Sequence, residues 1–417
     1  MSTAATDPLH EEATGLVAEL RRAVDAYIAR VRGGDFGSLP AVLGLIALVI
    51  FFTAFQGRTF FSTLNLANVV GQGSMVIVIA MGLVFLLLLG EIDLSAGFGA
   101  GTAAAVLGVT LTKKGWPLPL AVLACLATGV VIGLLIGLLV ARIGIPSFVV
   151  TLAMFLALQG VMLLIIGEGG TIPIRDESLL SLQKDNLPPF AGWILAIVSV
   201  GIYAAITGRR LRRRRAAGLT AETVTVWAVK LATMGVLAGL ATFFLNQERS
   251  LRPDLTSIKG VPLVIPLILA LLVGLTFLLT RTAFGRHVYA VGGNTEAARR
   301  AGINVKRITI TCCIACSTLA AVAGILFASK DNSISPSTGG STTLLLAVGA
   351  AVIGGTSLFG GRGRISDAVI GGLVVAVILN GLPLITQKSG IQFVVTGAVL
   401  LIAAGVDALS RRKSLAT

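Results

Sequence analysis

The residues of this chain that could do chemistry are few, and most sit in apolar surroundings. Glu91 and Asp93 stand two residues apart in the stretch GEIDLS, between long apolar runs. Carboxylates at membrane depth can carry protons. A short acidic side chain such as Asp93, or the hydroxyl of Ser95, can equally cap a following helix by accepting from its free N–H groups. Cys313 and Cys316 have C-x-x-C spacing, with Cys312 beside them and Cys125 elsewhere. The run around them offers no further ligand, so the cysteines read as small packing residues rather than a metal or redox site. His10 and His287 lie in separate polar segments and form no pair for a metal or a general base. GGRGR at 360–364 lacks the Lys-Ser/Thr of a phosphate-cradling loop, so no ATPase site is expected in this chain. No catalytic residue, metal or cofactor is assigned.

The most structured polar stretch is GRHVYAVGGNTEAARRAGINVKR, from Gly285 to Arg307. Asn294 or Thr295 can cap a short helix, with Glu296 at its positive end and Arg299 and Arg300 at its negative end. Gly302 can close it in a left-handed conformation. A helix of about two turns is unstable alone in water. One so well capped, strung between apolar runs, is expected to dock against another protein.

The elements that must position these residues are apolar. Hydrophobic residues make up 55% of the 417, charged ones 12%, and the mean hydropathy is +0.94, which excludes an ordinary soluble domain. Twelve runs are long enough to cross about 30 Å of hydrocarbon. They lie near 39–56, 66–90, 95–112, 117–140, 147–167, 191–208, 224–245, 262–280, 308–329, 342–358, 366–387 and 391–409. The expected organisation is a cytoplasmic segment 1–38, a transmembrane region 39–409 with the capped loop at 282–307, and a basic tail 410–417. No secretory leader is read in 1–38, whose apolar residues from Leu16 to Val31 suit an interfacial amphipathic helix or a loose tail. Lys and Arg number 22 on the side of the termini and 10 on the other, with Lys230 inside a span, so both termini and the capped loop are expected in the cytoplasm. The net charge of +14 is thereby topogenic rather than a nucleic-acid footprint, and GRRLRRRR at 208–215 reads as a cytoplasmic anchor.

Two crossings depart from plain spans. GEIDLS and the Gly-rich run ending in GGTSLFGG are expected as helix breaks or re-entrant segments, tolerated where protein or water satisfies the freed backbone. They look weakly alike, which suggests an internal repeat. Gly129, Gly133 and Gly137, and likewise Gly235 and Gly239, recur every four residues and suit close helix packing within the chain.

Three motifs in order, EIDLS at 91–95, GGNxEAARxxGIN at 292–304 and GGTSLFGGRGR at 354–364, resemble those of the permease subunits of bacterial ATP-binding cassette importers for monosaccharides. Glu91 and the length of the middle of the chain are most similar to the xylose-type or multiple-sugar subgroup. The resemblance implies an all-α polytopic protein of about twelve transmembrane or re-entrant helices with a short cytoplasmic coupling helix. It places the chain in a bacterial inner membrane as a homodimer. The implied partners are a cytoplasmic ATPase with two nucleotide-binding domains and an extracytoplasmic sugar-binding protein. It assigns ATPase coupling to Asn294, Glu296, Ala297, Arg299, Gly302 and Ile303. A sugar path needs neutral donors and acceptors, and the spans offer Asn68, Gln72, Ser74, Thr151, Gln159, Asn380 and Thr396. Asn68 and Gln72, one turn apart, are the best cluster; Glu91, Asp93 and Ser95 mark the helix break. A proton- or sodium-coupled carrier is the alternative function, with Glu91, Asp93 and Lys230 as its intramembrane charges, and a membrane-anchoring scaffold is the third.

Overall fold

The computed structural model describes residues 38–415 apart from 168, 220–222, 251, 253, 255 and 256. The expected interfacial helix before residue 38 lies outside the described residues. The chain divides into two units. The larger holds residues 37–186 and 262–408, and the smaller is described over 187–261.

The helices are α1 (Leu39–Phe60), α2 (Thr63–Leu89), α3 (Ala96–Gly108), α4 (Leu118–Leu138), α5 (Ser147–Ile166), α6 (Glu177–Lys184), α7 (Pro189–Ala216) and α8 (Val224–Leu245). They continue as α9 (Val264–Arg281), α10 (Ala283–Gly293), α11 (Thr295–Arg300), α12 (Val305–Asp331), α13 (Gly340–Gly354), α14 (Ile365–Ile385) and α15 (Ser389–Leu415). Among the described residues nine helices are long and apolar enough to cross a membrane, and Gly340–Gly354 and Ser389–Ile402 are shorter apolar helices. With α3 these account for the twelve apolar runs. The protein is an all-α polytopic membrane protein.

In the larger unit α2 is the axis: 89% of its apolar stretch is covered by protein, against 11% for α1. A helix apolar all round belongs in such a position. It packs with α12, α13 and α14. The glycine stripe of α4 faces α12, where a Cβ on Gly133 would stand 2.5 Å from the Cys313 carbonyl oxygen and one on Gly137 2.8 Å from the Ile310 Cα. Cys313 and Cys316 thus lie where α12 is pressed on one side by Gly133 of α4 and on the other by Gly82 of α2.

At the end of the bundle away from α11, a segment missed in the sequence crosses the helix ends. Ile172–Pro173 pairs antiparallel with Ser333–Ile334. Asp176 caps α6 by accepting from the Leu179 N–H at 2.9 Å. Gln183 then donates to the Ser74 hydroxyl at 2.7 Å, and Ser329 donates to the Leu180 carbonyl at 3.2 Å, so α6 is tied to both α2 and α12.

The smaller unit is a hairpin of α7 and α8, joined where the Trp227 indole donates to the Thr207 hydroxyl at 2.8 Å. Here the Gly235/Gly239 stripe departs from expectation. Gly235 has no neighbour within 4 Å of a built Cβ, and Gly239 meets only Trp193 at 3.9 Å, a side chain too bulky for close backbone approach. Beyond α8 the Glu248 carboxylate accepts from the N–H groups of Arg249, Ser250 and Ile258 and from the Ser257 hydroxyl. The Ser257 bond first, and the backbone donors after it, push its pKa down to about 2.

Candidate functional site

The capped loop is two helices rather than one. Thr282 caps α10 by accepting from the Gly285 N–H at 3.2 Å, and Phe284, Val288 and Val291 then lie along its packed side. Their 4- and 3-residue spacing is the signal that reading the stretch as one short helix missed. The Phe284 ring lies over Phe85 of α2, centroids 6.3 Å apart. Asn294 ends α10 and caps α11, its side chain accepting from the Ala297 N–H at 2.9 Å. Of the two cap candidates it is therefore Asn294 that serves; the Thr295 hydroxyl donates back to the Val291 carbonyl. Glu296 meets Arg299 at 2.8 Å and Arg300 at 3.4 Å, and Gly302 turns left-handed at φ +82°. Five of the six residues of α11 are exposed, Ala298 alone being buried, and Ile303 is half-buried behind it.

The helix that leads into it, α10, lies close against the end of α2 at the Leu88 carbonyl. A Cβ on Gly292 would collide with the Leu88 oxygen, and the Gly361 N–H donates to that same oxygen at 2.9 Å. Gly361 belongs to the turn between α13 and α14, held by Ser357 N–H to Arg362 O at 2.8 Å and by the Tyr289 hydroxyl of α10 donating to Gly363 O at 2.8 Å. Burial, with Asp367 nearby, raises the Tyr289 phenol above its ordinary pKa. Asp367 accepts from the Arg364 N–H at 2.8 Å and from the Thr356 hydroxyl at 3.4 Å, which caps α14. At the outer edge of the turn Phe359 is 78% exposed.

Immediately beyond Leu88 comes the break. Gly90 is left-handed, Glu91 is half-buried, and residues 91–93 are not helical. The Ile92 carbonyl, freed from any helix, accepts from the Thr151 hydroxyl of α5 at 3.2 Å. Asp93 and Ser95 are each 1% exposed. Asp93 Oδ1 accepts from the Ser95 N–H at 2.8 Å and from the Ser95 hydroxyl at 2.6 Å, while the Cys316 thiol lies 3.7 Å from Oδ2. Asp93 is the acceptor at the start of α3, and Ser95 is one of its donors.

The neutral path candidates are not gathered into one place by their hydrogen bonds. Asn380 exchanges two bonds with Asn65, at 2.8 and 3.0 Å, and joins α14 to α2. Gln159 is exposed on α5 along with Leu152 and Leu156. Thr396 bonds its own helix at Gln392 O. Asn68, exposed, and Gln72, half-buried, make no side-chain bond among the described residues, and stand within a turn of Gly71 and Ser74, where Gln183 of α6 reaches α2. Sequence reasoning could not have found Gln183, because nothing local marks a glutamine on a short amphipathic helix as a partner of Ser74.

Residues 65–404 match the family described as the permease component of branched-chain amino acid transport systems. The xylose transport system permease protein XylH of Escherichia coli (strain K12) is 35% identical over 373 residues, 89% of this chain and 92% of its own. The ribose import permease protein RbsC of the same strain is 31% identical over 374 residues, 89% and 92% of the two chains. The fructose import permease protein FrcC of Rhizobium meliloti is 29% identical over 378 residues, 90% and 87% of the two. No solved structure matches. The matched region runs from the first turns of α2 into α15 and contains the break, the α10–α11 pair and the Gly-rich turn. The chain belongs to this family of transport-system permeases.

Proposed function

We infer that this chain is the membrane permease subunit of an ATP-driven importer that passes a monosaccharide, xylose or a similar sugar, into a bacterial cytoplasm. Xylose is put first because the xylose relative is 35% identical where the ribose and fructose relatives are 31% and 29%. The observation that carries the mechanism is the exposed, doubly capped α11, which follows α10 where Gly292 packs on the Leu88 carbonyl of α2, two residues before the non-helical stretch that leads into α3. A permease without its own motor must take its stroke at a surface of this kind. Asn294, Glu296, Ala297, Arg299, Gly302 and Ile303 form that surface in this reading, with both termini and α11 in the cytoplasm. A cassette ATPase with two nucleotide-binding domains docks there, a sugar-binding protein delivers from the other side, and two copies of the chain enclose the path. Asn68 and Gln72 lie at its entrance, and Glu91, Asp93 and Ser95 at the break.

Reconstitution of the chain in vesicles with its ATPase and binding protein tests this. Uptake of labelled xylose should require ATP and be indifferent to an uncoupler. Uptake driven by a proton gradient without ATP would overturn the reading. Glu296→Lys, which removes a charge favoured at a helix start by roughly 0.3–1 kcal/mol, should insert normally, weaken ATPase association and abolish uptake. Undiminished uptake would remove this residue from the docking surface.

A further inference from the structure

A cavity of about 500 Å³ lies beside the coupling region, between the last turns of α9, the side of α10 and the start of α14. Arg286 and Arg364 stand on its rim with Ser366 and Tyr289, and Leu279 and Ile365 form apolar wall. Both arginines are exposed, and among the described residues no carboxylate comes within ion-pair distance of either guanidinium. Of the nearby acids, Glu296 is paired with Arg299 and Arg300, while buried Asp367 accepts from the Arg364 N–H and Thr356 and attracts the Arg364 guanidinium from beyond ion-pair distance. On its other side the cavity meets the outward apolar surface of α9, where Val273 and Phe277 are 52% and 62% exposed and Thr276 and Thr280 continue to the rim.

We propose that this cavity holds an anionic phospholipid, its phosphate between Arg286 and Arg364 and its chains along α9. Arginine suits a phosphate diester because its planar fork offers paired donors, and basic pockets at the cytoplasmic ends of membrane helices recognise acidic headgroups. A free phosphate would use the rim alone and leave the apolar wall and the open side along α9 uncovered. A soluble acidic protein would likewise leave the α9 surface bare. The assignment to the cytoplasmic leaflet rests on the orientation proposed above; the site itself does not. Because the cavity touches α10 through Arg286 and Tyr289, a bound lipid would also brace the segment that carries α11.

The full chain in nanodiscs, probed with photoactivatable phosphatidylglycerol and mapped by peptide mass spectrometry, tests this whichever way the chain faces. Crosslinks should fall within residues 273–289 and 364–366, and be competed by phosphatidylglycerol but not by phosphatidylcholine or inorganic phosphate. Combined Arg286→Gln and Arg364→Gln should lower them about tenfold or more, whereas Arg209→Gln with Arg212→Gln, in the exposed basic run, should not. Competition by inorganic phosphate would make the occupant a free anion and overturn the proposal. Equal labelling by a phosphatidylcholine probe, or equal loss in the basic-run variant, would also overturn it. So would absence of crosslinks with loss of ATPase association in the cavity variant, which would make the rim a protein contact. Should the double variant fail to fold, the competition pattern on the native chain decides alone.

Discussion

Two turns in the larger unit begin in the same way and end in different places. At the end of α2, Gly90 N–H bonds Leu87 O and Glu91 N–H bonds Leu86 O; at the end of α13, Gly355 N–H bonds Val352 O and Thr356 N–H bonds Ala351 O, all at 3.0 Å. Both are left-handed glycine caps that satisfy the last carbonyls of a helix. Each is followed by a buried carboxylate that accepts a 2.8 Å bond from backbone N–H and starts the next helix, Asp93 for α3 and Asp367 for α14. The first turn reaches its next helix by residue 96 with Asp93 and Ser95 buried, while the second runs on to residue 365 and carries Phe359, Arg362 and Arg364 into the open. The extra residues give the second turn the reach to bond Leu88 and present a surface. The shorter turn can only place a buried carboxylate within the wall. One local solution thus serves an internal break and an exposed turn, and loop length decides which.

The largest effect is expected at the junction where α10 and the second turn meet the end of α2. Gly292→Val drives a side chain into the Leu88 carbonyl and should cost about 3 kcal/mol, near the upper end for overpacking, with loss of ATP-driven uptake. Thermal unfolding of the purified chain measures this, and native stability would mean the turns are not held together there. Asp93→Leu leaves the Ser95 N–H buried without its acceptor, for about 2 kcal/mol. Asp93→Asn keeps the cap and should stay within about 0.5 kcal/mol with uptake intact. Uptake lost in the amide variant at unchanged stability, together with uncoupler sensitivity, would make Asp93 a proton site instead. Phe359→Ala should leave stability within about 0.5 kcal/mol and weaken ATPase binding about tenfold in a pull-down titration; unchanged binding would deny the longer turn its outward role. The smallest effect concerns a half-buried loop carboxylate that likewise gathers backbone donors. Glu248 has its pKa lowered from 4.5 to about 2, so the order it gives its loop is complete above about 4.5 and fades as pH falls toward 2. Hydrogen exchange at Ser250 and Ile258 should rise across that window and lose its pH dependence in Glu248→Gln.

Most of the apolar runs were legible because nine of them, among the described residues, are continuous and long, and the caps of α11 because Asn294, Glu296 and Gly302 act within a few residues of one another. The break at GEIDLS was legible as polar residues in an apolar setting. The junction was not, since Leu88, Gly292 and Gly361 are brought together from three distant parts of the chain, and a glycine chosen for close approach looks in sequence like one chosen for a turn. The roles of the neutral polar residues were equally hidden. The two bonds of Asn380 to Asn65 could not be read locally, because an amide bonded across helices and one open to a cavity have the same local sequence.

The shared carbonyl of Leu88 has a thermodynamic consequence. In the proposed reading a partner docked on α11 reaches the break at 90–95 through α10 and this contact, so any coupling between docking and the break is reciprocal. Whatever factor docking contributes to one arrangement of the break, that arrangement returns to the affinity of docking. On the same reading, any change that a docked motor makes in sugar affinity is matched by an equal change that sugar makes in the affinity of docking.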